Sequence, residues 1–139
     1  MKIKIISDST GDLSPELIEK YDIAIVPLYV LMGDNMQKDG LEVTPEDIYA
    51  HVEKTGKLPS TSAPNLGDFQ DEFKKWRDQG YDIVHFNISS DFSSSYQNAC
   101  AAAEGMDGVY VVDTRNLSTG SGLVVLHGAE LAQQGKSAA

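Results

Sequence analysis

The chain of 139 residues holds one cysteine, three histidines and only eleven basic residues against twenty-one acidic ones. Cys100 has no second cysteine to pair with, so no internal disulfide can form, and no Cys/His group has zinc-ligand spacing. A reduced, cytoplasmic setting is the expectation. A formal charge of −10 argues against non-specific binding to nucleic acid or to anionic membrane, because both require basic patches that displace counterions. No stretch approaches the roughly 18 apolar residues of a spanning helix. The opening "MKIKIISDST" carries one short apolar run without a cleavage pattern and reads as a first strand rather than a signal peptide. There is no internal repeat, and the length is that of one domain.

What is present is an alternation of apolar strands and capped helices. Residues 2–7 read as a strand ending in the turn Asp8-Ser9-Thr10-Gly11. Ser14 followed by Pro15 and Glu16 is a helix start, and Thr44-Pro45-Glu46-Asp47 repeats it, with Gly56 as the stop. Pro27 interrupts "IAIVPLYVLMG", so a strand to about Val26 and a re-aimed segment after it are expected, followed by a small hairpin around Asp34-Asn35. Phe69, Phe73 and Trp76 at i, i+4 and i+7 mark a helix with an aromatic inner face, stopped by Gly80. "YDIVHFNIS" reads as a third strand ending at Ser89 and Ser90, "YQNACAAAE" as a helix with Cys100 a small buried residue, "VYVVD" as a strand, and "TGSGLVVLHGAELAQQ" as the last helix. Gly135 stops that helix, and Ser137 has the look of a further cap. Strands apolar on both faces and separated by helices predict a mostly parallel sheet in a three-layer α/β/α fold.

Ligands of such sheets bind beyond the carboxyl ends of the strands. Three polar loops occupy those ends: "DSTGD", "SSDFSSS" and "DTRNLSTGSG"; a fourth, "STSAP", must fold back toward them. All are rich in hydroxyls and poor in acid–base groups. Ser93, Ser94 and Ser95 fall at a helix start, where free N–H groups and the helix dipole favour an anion. By pattern alone, one capping serine and two solvated ones is the favoured explanation of the run, because capping is the commonest role of serine at a helix start. Asp8 occupies the place of a phosphotransfer nucleophile, but the second acid expected two residues on is Thr10, which leaves Asp8 a turn and Asx-capping role. Gly120 and Gly122 lack the third glycine of a dinucleotide loop and read as permitting close approach at a helix start. No G-x-S-x-G elbow is present. His85 falls in a strand, His127 in a helix, and His51 at an exposed helix position.

Six segments taken in order resemble the first domain of the DegV family of bacterial fatty-acid-binding proteins: "SDSTGDL" at 7–13, "IVPLYV" at 25–30, "DG" at 39–40, "PSTSAPN" at 59–65, "ISSDFSSSYQNA" at 88–99 and "VVDTRNLSTGSG" at 111–122. The resemblance implies that residues 1–139 form the first α/β domain of a two-domain protein, ending near the domain boundary. It implies a long-chain fatty acid whose carboxylate is held by Thr61 and Ser93, with Ser62 and Ser95 in support and Asp8, Ser9 and Thr10 shaping the rim. It implies no catalytic residue, metal or cofactor, and a partner: a separate kinase subunit that converts the bound carboxylate to an acyl phosphate. Where the family reads "LSGTYQSA", Ser94 and Ser95 replace Gly and Thr, and Ser95 keeps the hydroxyl. Half of an acyl tunnel exposes apolar surface, which favours self-association. Two other readings stand beside this one: a phosphoryl-transfer enzyme acting on a small hydroxylated substrate, and a dimerising or regulatory domain without a ligand.

Overall fold

The computed structural model describes residues 2–139. Its centre is a four-stranded, wholly parallel sheet in the order β2-β1-β6-β7, formed by β1 (Lys2–Asp8), β2 (Ala24–Val26), β6 (Tyr81–Asn87) and β7 (Val109–Asp113). The intervening elements are α1 (Pro15–Lys20), β3 (Tyr29–Met32), β4 (Asn35–Lys38), α2 (Pro45–Thr55), β5 (Ser60–Ser62), α3 (Leu66–Arg77) and α4 (Ser95–Ala103). Helix α5 (Thr119–Gln133) follows β7. The three-layer α/β/α reading holds.

Side-chain alternation along the strands builds two cores. Ile6, Val26 and Ile83 pack with Phe69 and Phe73 of α3 and with Ala99 and Ala102 of α4. The opposite face sets Ile5, Ile23 and Phe86 against Val125 and Ala129 of α5. Helix α5 can approach because it carries glycine where a side chain would collide. A Cβ on Gly122 would lie 2.6 Å from the Gly11 carbonyl oxygen, so its backbone sits directly against the loop that follows β1. Gly122→Ala is therefore expected to cost about 2 kcal/mol through forced backbone displacement. Thermal unfolding reads this directly, and an unchanged midpoint would show that the contact is not tight.

Cap chemistry sets the helix starts. Ser14 accepts from the Leu17 N–H, and α2 and α3 open with reciprocal boxes, Thr44 with Asp47 and Asn65 with Asp68. Pro27 does end β2, and the chain re-enters as β3 in a separate antiparallel sheet of order β4-β3-β5. Gly33 and Asp34 turn the β3–β4 hairpin, with Gly33 at φ 65°.

Several expectations are corrected. "STSAP" is not simply a loop: Ser60–Ser62 form β5, with Thr61 opposite Val30, because the edge of β3 takes a partner there. The third strand stops at Asn87, so Ser89 and Ser90 lie in the loop beyond it. The Ile88 N–H is claimed by a side chain rather than by a neighbouring strand. Cys100 and His51 are both half-buried, neither fully buried nor fully exposed. Gly135 follows α5 at φ 79°.

Candidate functional site

The strand order makes β1 and β6 the pair from which the chain runs in opposite directions, β1 to β2 on one side and β6 to β7 on the other. Such a switch point opens a crevice at the carboxyl ends of the strands, where α/β folds place ligands. Here Asp8 spans it. One carboxylate oxygen accepts from the Thr10 N–H at 3.0 Å and the Thr10 hydroxyl at 2.6 Å; the other accepts from the Ile88 N–H at 2.6 Å. Asp8 is 1% exposed. Burial holds its pKa above the ordinary 3.8, against the opposing pull of the hydrogen bonds from Thr10 and Ile88. Both oxygens are committed to holding two loops in register.

The hydroxyl loops converge around this strut. The Ser9 hydroxyl accepts from the Leu28 N–H at 3.1 Å and so fixes the exit of β2. In the loop after β6, the Ser93 hydroxyl accepts from the Ser95 N–H at 3.1 Å and lies 2.9 Å from the Ser95 hydroxyl. Ser95 is fully buried, whereas Ser93 keeps partial exposure and Ser94 is open to solvent. When the Ser95 hydroxyl donates to Ser93, both lone pairs of the Ser93 oxygen are spent. The Ser93 proton is then the one hydrogen-bonding element of that group left to face outward. Ser94, the N-cap of α4, makes no side-chain cap hydrogen bond, and the Ser93 hydroxyl instead takes the N–H of Ser95, the first residue of the helix.

Thr61 and Ser62 lie exposed on β5. Ser62 donates over 3.4 Å to the Ala63 carbonyl, and no hydrogen bond among the described residues joins Thr61 or Ser62 to Ser93 or Ser95. The two segments are tied one step away, through the Asn98 amide of α4, which donates to the Pro64 carbonyl at 2.9 Å. Asn98 was not singled out in the sequence. The only cue was its place three residues past Ser95, on the first turn of a helix that must meet another loop.

The third loop closes the ring. Ser89 N–H donates to the Asn116 carbonyl, Thr114 donates to the Asn87 carbonyl at 2.8 Å, and Ser118 donates to Asp12 at 2.6 Å. Arg115 pairs with Asp91 at 3.2 Å and with Asp113 at 3.8 Å, so its charge is already balanced by two carboxylates. Phe92, Leu117 and Leu123 stand more than two-fifths exposed on these same elements. These loops and the start of α5 therefore combine partly exposed hydroxyls with exposed apolar side chains, features suited to an amphiphile with an acceptor head group.

The histidines lie elsewhere: His51 on α2, His127 exposed on α5, and His85 fully buried in β6. His85 is packed edge-on between Phe69 and Phe73, with ring centres 5.2 and 5.4 Å away. Desolvation lowers its pKa from 6.5 to about 4, overriding the smaller raising influences of Asn87 and the Ile6 backbone. It is neutral at physiological pH. No helix among the described residues is long and apolar enough to cross a membrane.

The sequence profile of the DegV family, described as a family of uncharacterised proteins, matches residues 2–139. The chain belongs to the DegV family. It is 38% identical over 136 residues to a DegV domain-containing protein of Clostridium perfringens, covering 96% of this chain and 49% of that one. A Thermotoga maritima protein named as a fatty acid-binding protein is 40% identical over 119 residues, which is 82% of this chain and 41% of the other. Among solved structures, a stearic acid-binding protein from Eubacterium ventriosum superposes with a TM-score of 0.90 at 32% identity, over 99% of this chain and 49% of its own. A DegV family protein from Thermus thermophilus, described for its fatty acid binding, superposes at 0.89 with 34% identity, over 99% of this chain and 49% of its own. This DegV chain thus spans about half the length of the relatives it matches.

Proposed function

We propose that this DegV chain is the carboxylate-gripping half of a long-chain fatty-acid-binding protein, with Ser93 and Thr61 as the ligands of the carboxylate. The observation that carries this reading is the Ser93–Ser95 hydroxyl pair at the start of α4, in which Ser93 keeps partial exposure while Ser95 is buried. The fatty acid binding of its relatives supports it. Ser95 supplies the second donor to Ser93, Ser62 flanks Thr61 on β5, and Asp8, Ser9 and Thr10 hold the rim. A carboxylate held by neutral donors keeps its charge and nucleophilic oxygen without a competing ammonium.

On this reading the protein presents its ligand and a partner performs the chemistry. Asp8 is buried with both carboxylate oxygens accepting hydrogen bonds from the protein, and His85 is enclosed, which supports presentation over a nucleophile or general base in this chain. The bound carboxylate is offered, in the cytoplasm, to a separate kinase that forms the acyl phosphate. The exposed Phe92, Leu117 and Leu123 supply apolar surface for the remainder of the acyl enclosure or for a second copy.

Displacement of a fluorescent fatty acid tests the ligand assignment. A hydrogen bond to a charged group is worth about 1.5–3 kcal/mol, so Ser93→Ala and Thr61→Val are each expected to weaken palmitate roughly 10- to 100-fold. The Thr61→Val midpoint should stay close to wild type, whereas Ser93→Ala takes the partner from the Ser95 N–H and the buried Ser95 hydroxyl and should lower the midpoint by a few degrees. Undiminished palmitate affinity in both variants would refute the assignment.

A further inference from the structure

The two edges of the central sheet are finished differently. At one, β2 is 3 residues long and Pro27 follows it, so little of that edge can accept a further strand. At the other, β7 reads Val109-Tyr110-Val111-Val112-Asp113, without a proline, glycine or lysine to guard it. Two bonds to β6 fix the direction of its backbone groups: the Ile83 N–H donates to the Gly108 carbonyl at 2.8 Å, and the Thr114 N–H to the Asn87 carbonyl at 3.1 Å. Alternate residues of a strand bond to alternate sides, so Tyr110 and Val112 turn their N–H and C=O groups to β6. Those of Val109, Val111 and Asp113 point out of the sheet, and β6 is the only strand paired with β7 among the described residues. Tyr110 is 39% exposed, although parallel strands are ordinarily covered.

We propose that this edge is a self-association surface, on which β7 pairs antiparallel with β7 of a second copy about a two-fold axis at Val111. Identical edges joined by a two-fold axis normal to the sheet run antiparallel, and an axis at Val111 gives every outward group a partner. Val111 exchanges bonds with Val111 of the second copy, and Val109 with Asp113. Tyr110 and Val112 share the face that α5 covers, with Val84 and Phe86 beside them, and there Tyr110 of each copy meets Val112 of the other. The register is also complementary in charge. Asp113, the one charged residue of the strand, faces Val109 rather than another Asp113. Beyond the strand ends, exposed Asp107 of one copy comes beside Arg115 of the other, whose side chain is 65% exposed despite its contacts with Asp91 and Asp113. Opposite charges at the two ends of one strand are what an antiparallel mate of the same sequence matches, and this favours a second copy as the occupant.

Sedimentation velocity of the 139-residue chain over a concentration series, without lipid, tests the proposal. Wild type is expected to dimerise. Val111→Pro removes an N–H that serves no bond within the chain and is expected to raise the dissociation constant about 100-fold. Asp107→Lys sets Lys against Arg at both ends of the pair and is expected to raise it about tenfold. Hydrogen exchange of wild type adds a readout that no misfolded variant can blur. The amides of Val109, Val111 and Asp113 should be protected in the dimer and lose that protection on dilution, while those of Tyr110 and Val112 stay protected throughout. A wild type that remains monomeric, or a dimer in which the Val111 amide exchanges freely, overturns the proposal. So does a monomer whose Val109 and Val111 amides become protected only on adding the unmatched half of the Clostridium perfringens relative as a separate polypeptide, which would give the edge to that half instead.

Discussion

Asp8→Ala is expected to cost about 3 kcal/mol of stability and to lower the unfolding midpoint by roughly 10 °C. The substitution strips acceptors from three donors at once: the Thr10 N–H, the Thr10 hydroxyl and the Ile88 N–H. The last belongs to a residue eighty positions away, so the loss is not confined to a local turn. Asp8→Asn is expected to fare little better. Its amide can accept from Thr10 with one atom, but the other places an NH2 group against the Ile88 N–H, donor against donor. Hydrogen exchange at Ile88 reads the consequence without involving any ligand. It should accelerate by orders of magnitude in both variants, because the loop from 88 to 94 loses its anchor. Protection at Ile88 equal to wild type would show that Asp8 is an ordinary rim residue. Since the same loop carries Ser93, palmitate binding is expected to weaken in both variants although Asp8 touches no ligand.

The second large effect is acid sensitivity. His85 has its folded pKa lowered to about 4 by burial, against 6.5 when free. The unfolded chain therefore takes up a proton that the folded chain refuses. Stability from this group is complete above pH 6.5 and is lost as pH falls toward 4. Each unit of that window is worth about 1.4 kcal/mol, so between pH 7 and pH 5 wild type is expected to lose about 2 kcal/mol. Asp8 works in the other direction. Its folded pKa is raised, so the folded state gains a proton first as pH falls, and the two contributions partly offset at the acid end. Over pH 7 to 5 the difference between wild type and a variant without the imidazole separates the histidine from Asp8. His85→Phe keeps an aromatic ring between Phe69 and Phe73 and cannot titrate. Its unfolding midpoint should be nearly flat over the interval in which wild type falls by roughly 6 °C. Equal slopes in the two proteins would contradict the assignment to His85.

How far the structure could be read from the sequence depended on whether the determining interaction was local. Ser14-Pro15 and Thr44-Pro45 announce helices because a cap bonds to N–H groups two or three residues away. The Asx turn of Asp8 was legible for the same reason. Its bond to Ile88 was not, because it depends on which strands become neighbours. The same distinction explains β5. Ser60-Thr61-Ser62 has no apolar alternation to mark a strand, and it pairs because β3, some thirty residues earlier, offers a free edge. The end of β6 was read two residues late because apolar Ile88 continues the strand pattern while its N–H has already left the ladder. Of the site, the converging hydroxyl loops could be read from composition and position in the strand–helix order. The division of labour between Ser93 and Ser95 and the Asn98 tie to Pro64 depend on side-chain geometry that no local pattern encodes.

The central claim is that the hydroxyl pole of this chain holds a carboxylate, and a crystal structure of the 139-residue chain grown with palmitate tests it most directly. The carboxylate should lie within hydrogen-bond distance, about 3 Å, of both Ser93 Oγ and Thr61 Oγ1, its acyl chain leading away over the apolar surface beside them. A palmitate bound elsewhere with its carboxylate in solvent, or a hydroxyl pole without a carboxylate at saturating palmitate, would contradict it.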